Sequence, residues 1–257
     1  PVDSIQFKTF SRYRRNLLWQ IRNLKADTAI QPTFSREFYN GDSIVRASKA
    51  SRKVSSVGNM GNRNLLKQLI ADRWHTELIP VSSEPLTELE RNAEFFSGLS
   101  HSPHLISYPQ LDIHKFWLSS EWKDENFYVL IPGTSGTVVG KEWPARSFSN
   151  IAKKVFQQTG WKGIICGAQQ EHILGEQIRG QCDAPLQNLS GQTTLPVLAS
   201  LLSQSRLTLS NDTGAVFISS AVGTPSVCIL GGGHFGRFLP YPDLPGQINN
   251  LKEIFHK

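Results

Sequence analysis

Three short loops hold the residues whose types and spacing could bind an anion. The first loop runs from Pro132 to Pro144 and reads PGTSGTVVGKEWP. Its glycines let backbone N–H groups approach an anion closely, while Thr134 and Ser135 add hydroxyl donors and Lys141 adds a positive charge. The loop has neither the Gly-Lys-Ser/Thr of a Walker A motif nor the GxGxxG spacing. We interpret it as a candidate phosphate-binding loop, with an ordinary strand-to-helix connection as the alternative.

The second and third loops add a carboxylate and a second anion-binding turn. Glu171 ends the loop that begins at Gly167, where its carboxylate can accept hydrogen bonds from a ribose diol. The alternative is a glutamate that the helix dipole favours at a helix N-terminus. In the third loop, Asp212 or Thr213 can cap the apolar helix that follows, and Gly214 lets the backbone pack closely. The N–H groups at this helix start can bind an anion, with a simple N-cap as the alternative.

Two further polar residues follow a later strand. His234 and Arg237 stand in the sequence GHFGR, just past a predicted strand end. Both are candidate contacts to phosphate or to an acceptor, and ordinary loop residues are the alternative.

A regular alternation of strands and helices determines where these loops lie. The apolar run FYVLI is typical of a strand buried on both faces of a parallel sheet. We predict strands over residues 127–131, 162–166, 207–209 and 226–230, and helices over 147–158, 170–179, 195–202 and 213–222. Such an alternation favours βαβ units in a doubly wound sheet, whose ligands bind at the carboxyl ends of the strands. The three loops are therefore expected to meet at one edge of the sheet.

The first half of the chain is less regular. We predict a basic amphipathic helix over residues 7–24, strands over 27–32 and 53–57, and helices over 42–47 and 84–99. Residues 100–126 are interpreted as the region that links two domains. The expected domains are therefore residues 1–115 and 116–257.

Composition and charge narrow the class of protein. Of 257 residues, 39% are hydrophobic and 19% are charged, which is typical of a globular protein. Neither a signal peptide nor a membrane span is predicted. The net charge of +6 fits an anionic partner, with solvated basic helix faces as the alternative. No nucleic-acid-binding module is recognised.

The three cysteines predict no disulfide framework and no metal site. Cys166, Cys182 and Cys228 are widely spaced and odd in number. Cys166 and Cys228 lie in apolar runs, so we expect buried, unreactive thiols in a reducing, cytoplasmic setting.

Four motifs in this order resemble glycosyltransferase family 9, which contains the ADP-heptose:lipopolysaccharide heptosyltransferases. They are PGTSGTVVGKEWP, IICGAQQE, NLSGQTTLPVLASLL and LTLSNDTGAVFISSAVGTPSVCILGG. The resemblance covers residues 127–240, and extends more weakly to residues 27–99 through ADTAIQPTFS and ERNAEFFSGL.

The resemblance implies an α/β protein of GT-B architecture, with two Rossmann-like domains facing a cleft. It also implies inverting transfer of a sugar from a nucleotide diphosphate, without a metal and with no cofactor beyond the nucleotide-sugar donor, expected to be ADP-linked. Thr134 and Ser135 match the family's hydroxyl pair at the diphosphate. Lys141 matches its phosphate-contacting lysine, in a loop about two residues longer than in the heptosyltransferases. By the same match, Glu171 binds the ribose, and Asp212, Thr213 and Gly214 cradle the diphosphate and the sugar.

Two departures from the family pattern qualify these expectations. Phe217 stands where the family usually has a histidine, which removes one polar contact near the diphosphate or the donor sugar. The family's first strand, glycine-rich loop and catalytic-base aspartate are not found. We therefore expect an incomplete N-terminal domain and leave the base unassigned. Residues 249–256 resemble part of a closing helix.

Our first functional hypothesis is an enzyme of this family that glycosylates lipopolysaccharide or another cell-surface glycan. The basic N-terminal helix and Arg36 would face an anionic lipid-linked acceptor, or the cytoplasmic face of the inner membrane. The alternative is a non-catalytic nucleotide-binding relative. A Rossmann oxidoreductase is disfavoured because no GxGxxG follows a predicted strand.

Overall fold

The computed structural model describes residues 6–7, 11–113, 125–134, 142–231 and 235–255. The chain divides into two compact units, Pro1–Ile106 and Ser107–Lys257. This division lies nine residues before the expected boundary between 115 and 116. The reason is that the segment after Ile106 packs on the second unit. The Tyr108 hydroxyl donates to the Pro242 carbonyl at 2.8 Å, and the Leu111 N–H donates to the Ala221 carbonyl at 2.8 Å.

The first unit is a three-stranded parallel sheet with four helices among its described residues. The strands are β1 (Thr28–Gln31), β2 (Arg52–Ser56) and β3 (Glu77–Ile79), and the helices are α1 (Arg12–Asn23), α2 (Ser43–Ser48), α3 (Leu65–Asp72) and α4 (Glu88–Ser100). The strand order is β1-β2-β3. Five of these seven elements were predicted; α3 and β3 were missed, and β3 has only three residues.

Local capping explains where two helices of this unit begin. The Ser11 hydroxyl accepts a hydrogen bond from the Arg14 N–H at 3.0 Å, so α1 begins later than the predicted residue 7. At α4, Thr87 and Glu90 form a reciprocal capping box. Such a box satisfies two otherwise unpaired N–H groups, which fixes the start of the helix at Glu88 rather than at the predicted residue 84.

Arg36 is fully buried, so the expectation that it faces an acceptor is wrong. Its guanidinium pairs with Asp42 at 2.8 Å and with Asp72 at 2.9 Å. It also donates to the Ser56 carbonyl at the end of β2. Burial, and then the charge of Arg36, lower the pKa of the neighbouring His75. Arg36 therefore has a structural role inside the first unit. A buried charge needs such partners because water no longer solvates it.

The second unit is a six-stranded sheet in which every strand runs parallel. Its strands are β4 (Phe127–Ile131), β5 (Lys162–Ile165), β6 (Leu186–Asn188), β7 (Thr208–Asn211), β8 (Ser226–Leu230) and β9 (Leu251–Phe255), and its described helices are α5 (Ala145–Thr159), α6 (His172–Gly180), α7 (Leu195–Gln204) and α8 (Gly214–Ala221). The order is β6-β5-β4-β7-β8-β9. This is the doubly wound order of Rossmann folds, in which the direction of winding reverses between β4 and β7. The predicted α/β sheet is confirmed.

The segment near residues 249–256 is a strand, so the expected closing helix is wrong. Leu251–Phe255 pairs in parallel register with Ser226–Leu230. Leu251 is buried while Lys252 is exposed. A run this short cannot be assigned to helix or strand from its apolar residues alone, and the open edge of β8 decides the outcome here.

The core of this unit lies on both faces of the sheet, as the apolar run at β4 predicted. Tyr128 and Leu130 face α5 and α6, whereas Phe127, Val129 and Ile131 pack with residues of α7. Cys166 and Cys228 are buried as expected, and burial raises the pKa of each thiol to about 12. Within the described residues, no helix is long and apolar enough to cross a bilayer.

Arg36→Ala should destabilise the protein by about 3 kcal/mol, because the buried Asp42 loses its hydrogen-bonded partner and keeps only the Arg63 guanidinium, 3.6 Å away, as an arginine partner. Arg52→Ala is the matched control, since Arg52 pairs with Glu77 at the surface and is 46% exposed in its side chain. The control should cost less than about 1 kcal/mol. Urea unfolding of both variants measures the two losses. Equal losses would contradict the buried network.

Candidate functional site

A cavity of about 410 Å³ opens at the carboxyl ends of the second unit's central strands. Its walls come from the residues that follow β4 and β5 and from the N-terminal residues of α7 and α8. The described lining is Ile131, Gly133, Thr134, Cys166, Gly167, Ala168, Gln170, Glu171, Thr193, Thr194, Leu195, Leu198, Thr213, Gly214 and Ala215. It lies at the reversal between β4 and β7, where open parallel sheets bind their ligands.

Four of the predicted site residues line this one cavity: Thr134, Glu171, Thr213 and Gly214. They come from all three loops, so the expectation that these loops meet is confirmed for those residues. The described lining does not include Asp212 or Arg237, although Asp212 directly precedes Thr213. Ser135, Lys141 and His234 lie outside the described residues.

Asn211 holds the two described ends of the first loop against β7. Its buried side chain donates to the Pro132 carbonyl at 2.6 Å and accepts from the Trp143 N–H at 3.2 Å. The Thr134 hydroxyl also donates to the Glu142 carboxylate at 2.9 Å. Thr134 and Glu142 therefore lie together, beside the end of β7.

Glu171 folds back over the ends of β4 and β5. Its Oε2 accepts a hydrogen bond from the Ala168 N–H at 2.6 Å. A side chain at Gly133 or Gly167 would overlap the Glu171 carboxylate, so both glycines leave room for it. The alternative interpretation, a glutamate that serves only its own helix start, accounts for Oε2 but not for the approach to Gly133. Glu171 is also the only charged residue in the described lining.

Two helix N-termini point partial positive charge at the cavity. The Thr213 hydroxyl accepts from the Ala215 N–H at 3.3 Å, so the side chain that caps α8 is that of Thr213. The second helix, α7, begins at Leu195 directly after Thr194. Exposed N–H groups and aligned peptide dipoles at such starts stabilise anions.

Close packing against another part of the protein does not explain Gly214. Among the described residues outside its own chain neighbours and helix backbone, a Cβ at this position would meet no atom within 4 Å. The missing side chain instead leaves the cavity wall open at the start of α8. Close approach of a ligand to the backbone is the remaining use of this glycine.

Two contributions to the site were not predicted from the sequence. Asn211 holds the first loop, and Thr193 and Thr194 line the cavity. A signal for the second was present. Threonines that precede Leu195-Pro196 are typical of a helix start, because proline is favoured in the first turn. Asn211 gave no comparable signal, because its role depends on two partners that are 68 and 79 residues away.

Phe217 packs into an aromatic cluster. Its ring lies 6.5 Å from that of Phe238 and 6.3 Å from that of Tyr241, measured between centroids. The Arg237 guanidinium lies over the Phe238 ring at 4.8 Å. Arg237 as a phosphate or acceptor contact stays a prediction. Among the described residues, no group of three or more His, Cys, Asp or Glu side chains could hold a metal ion.

Asn211→Asp should destabilise the second unit by about 1–3 kcal/mol, because an oxygen would replace the donor that faces the Pro132 carbonyl. Asn126→Asp is the control: Asn126 is exposed before β4, and its Oδ1 only accepts from Arg206, which a carboxylate can also do. Urea unfolding compares the two. If the two variants proved equally stable, Asn211 would not hold the loop.

Comparisons with known proteins agree with this architecture. A family model described as Glycosyltransferase family 9 (heptosyltransferase) matches residues 69–254. Lipopolysaccharide heptosyltransferase 2 of Salmonella typhimurium is 23% identical over 180 residues, which are 66% of this chain and 50% of that protein. Lipopolysaccharide core heptosyltransferase OpsX of Haemophilus influenzae is 28% identical over 119 residues, which are 46% of this chain and 34% of that protein. The chain thus spans half or less of the length of these two relatives.

Heptosyltransferases are also among the solved structures of similar fold. E. coli heptosyltransferase WaaC with ADP superposes with a TM-score of 0.71 at 16% identity, covering 96% of this chain and 73% of that one. E. coli ADP-heptose lps heptosyltransferase II gives a TM-score of 0.67 at 18% identity, covering 95% and 74%. These likenesses show the fold, which is the predicted GT-B fold. Because the family model matches well over half of the residues, the chain belongs to glycosyltransferase family 9.

Proposed function

We propose that this chain carries the donor site of an inverting, metal-independent glycosyltransferase. The donor is a nucleotide sugar, expected to be ADP-linked, and the sugar is a heptose or a related one. The acceptor is lipopolysaccharide or another anionic, lipid-linked cell-surface glycan. The enzyme would act in the cytoplasm, at the inner face of the inner membrane.

One observation supports this proposal above the others: residues from three separate strand ends line a single cavity at the reversal of the sheet. Thr134 contributes a hydroxyl, Glu171 a carboxylate, and Thr213 and Gly214 a helix start. A nucleoside diphosphate needs such a combination, since its phosphates take N–H and hydroxyl donors and its ribose donates to a carboxylate.

We assign Ser135 and Lys141 to this site from the family resemblance and from their neighbours in the chain. Ser135 directly follows Thr134 and Lys141 directly precedes Glu142, and Thr134 and Glu142 are hydrogen bonded to each other. Lys141 would supply the positive charge that the described lining lacks.

Charge development explains how the site would act. Transfer releases a nucleotide diphosphate, so negative charge grows on the leaving oxygens in the transition state. Lys141, the hydroxyls at 134 and 135 and the N–H groups at the start of α8 would stabilise that charge. The acceptor hydroxyl also needs a general base, which we leave unassigned.

A non-catalytic nucleotide-binding protein is the second candidate function. Phe217 favours it, because this residue replaces the histidine that the family usually has and its ring packs against other aromatic rings. Incubation with ADP-heptose and a lipopolysaccharide acceptor, followed by measurement of released ADP, separates the two. Tight nucleotide binding without any transfer would favour this second function.

Glu171→Gln should weaken ADP binding by about 1–3 kcal/mol, because the ribose hydroxyls lose a charged acceptor. The wild-type protein should also bind ADP more tightly than 2′-deoxy-ADP or 3′-deoxy-ADP, and the variant should lose that preference. Isothermal titration calorimetry with the three ligands measures both effects.

Glu125→Gln provides the matched control for this experiment. Glu125 pairs with Lys162 at the amino ends of β4 and β5, away from the cavity. Its replacement by glutamine should therefore leave the affinity for ADP unchanged. If Glu171→Gln kept the full preference for ADP over both deoxynucleotides, Glu171 would not bind the ribose.

Lys141→Ala should weaken ADP binding by about 1–3 kcal/mol, the range for a charge-assisted hydrogen bond to phosphate. The same variant should lose less affinity for AMP, since AMP lacks the second phosphate. Lys154→Ala, at an exposed position on α5, is the control for loss of one positive charge. Calorimetry that gave the same ADP affinity for all three proteins would remove Lys141 from the site.

A further inference from the structure

A second, larger cavity lies in the first unit, outside the donor site. It is a groove of about 830 Å³ between α1, α2 and the end of α3. Arg15, Trp19, Arg22, Arg46, Ile70 and Trp74 are among its walls, and we call it the α1 groove. None of these residues lines the donor site, so the α1 groove needs a separate explanation.

Every charged residue in the described lining of the α1 groove is basic. Five arginine or lysine side chains line it, and no aspartate or glutamate does. Helix α1 repeats this bias, because its sequence RYRRNLLWQIRN holds four arginines and no acidic residue. A surface of this charge attracts anions and repels cationic partners.

Some of these basic side chains already have structural partners, and others do not. Arg14 is buried and donates to the Ser43 hydroxyl at 2.8 Å, and the Arg46 guanidinium lies over the Trp74 ring at 4.5 Å. Arg15 and Arg22 are exposed, and no ion pair or side-chain hydrogen bond joins them to another described residue. These two charges are therefore available to a ligand.

A large apolar side chain lies between those charges. Trp19 is 67% exposed, on the same helix as Arg15 and Arg22. Inside the groove the walls are mostly apolar, with Leu18, Phe38 and Ile70 among them. An exposed tryptophan on a helix rich in arginine is typical of helices that lie in a membrane interface.

We propose that the α1 groove binds the surface of a bilayer that contains anionic phospholipids. Arg15 and Arg22 would contact headgroup phosphates, Trp19 would enter the interface, and the groove would take up apolar lipid segments. The proposal rests on the proposed function for its biological sense, since a lipid-linked acceptor is presented at such a surface. It commits to lipid because the groove combines uniform positive charge with apolar walls, whereas a soluble phosphate would use only the charge.

Vesicle binding tests this proposal. The full chain is sedimented with vesicles of phosphatidylglycerol and phosphatidylcholine in a 3:7 ratio, and with vesicles of phosphatidylcholine alone. Arg15→Gln/Arg22→Gln should bind the anionic vesicles roughly 25-fold more weakly, at about fivefold for each basic residue lost near the surface. Trp19→Ala should weaken binding several-fold, and raising the salt from 0.15 M to 0.5 M should weaken binding of the wild type.

The control is Lys154→Gln/Lys252→Gln, which removes two exposed charges from the second unit and should bind vesicles like the wild type. Unchanged circular dichroism and ADP affinity of the Arg15→Gln/Arg22→Gln protein would show that it is folded. They would also separate this test from that of the donor site.

Three results would overturn the proposal: no binding by the wild type, equal binding to both kinds of vesicle, or equal loss in the control variant. A concentration-dependent dimer that depends on Arg15 and Arg22, seen by analytical ultracentrifugation without binding to vesicles, would assign the groove to a second copy instead. If the Arg15→Gln/Arg22→Gln protein failed to fold, the loss of binding by Trp19→Ala would still test whether the groove binds the vesicles.

Discussion

The parallel pairing of β4 with β7 is the constraint on which the candidate donor site depends. Because all six strands of the second unit run the same way, their carboxyl ends open at one edge. Because the winding reverses between these two strands, their following loops diverge and leave a crevice. Asn211, the last residue of β7, then ties that strand to both ends of the loop after β4. One buried amide thus joins segments that are far apart in sequence.

Much of this arrangement could be predicted from the sequence, because it depends on strong local patterns. The run FYVLI and the Gly-rich turns predicted the bounds of β4, β5, β7 and β8 to within a residue or two. Since parallel strands bring their loops together, Thr134, Glu171, Thr213 and Gly214 could be assigned to one site before any geometry was known. The sequence order of the four family motifs supported the same conclusion.

The errors share one physical cause, which is that tertiary partners decided the outcome. Leu251–Phe255 is a strand because β8 offers an unpaired edge, and the five residues themselves do not specify this. Arg36 was expected to face an acceptor because arginine is usually exposed. It is buried instead, and Asp42 and Asp72 compensate its charge. Neither of these two outcomes follows from residue type and spacing.

The central claim is that a nucleoside diphosphate binds in the cavity between the ends of β4, β5 and β7. A crystal structure of the protein with ADP tests it most directly. The claim predicts the diphosphate within hydrogen-bonding distance of Thr134 and the backbone at Thr213 and Gly214, with the ribose hydroxyls at the Glu171 carboxylate. ADP bound at another surface, or a ribose turned away from Glu171, would contradict it.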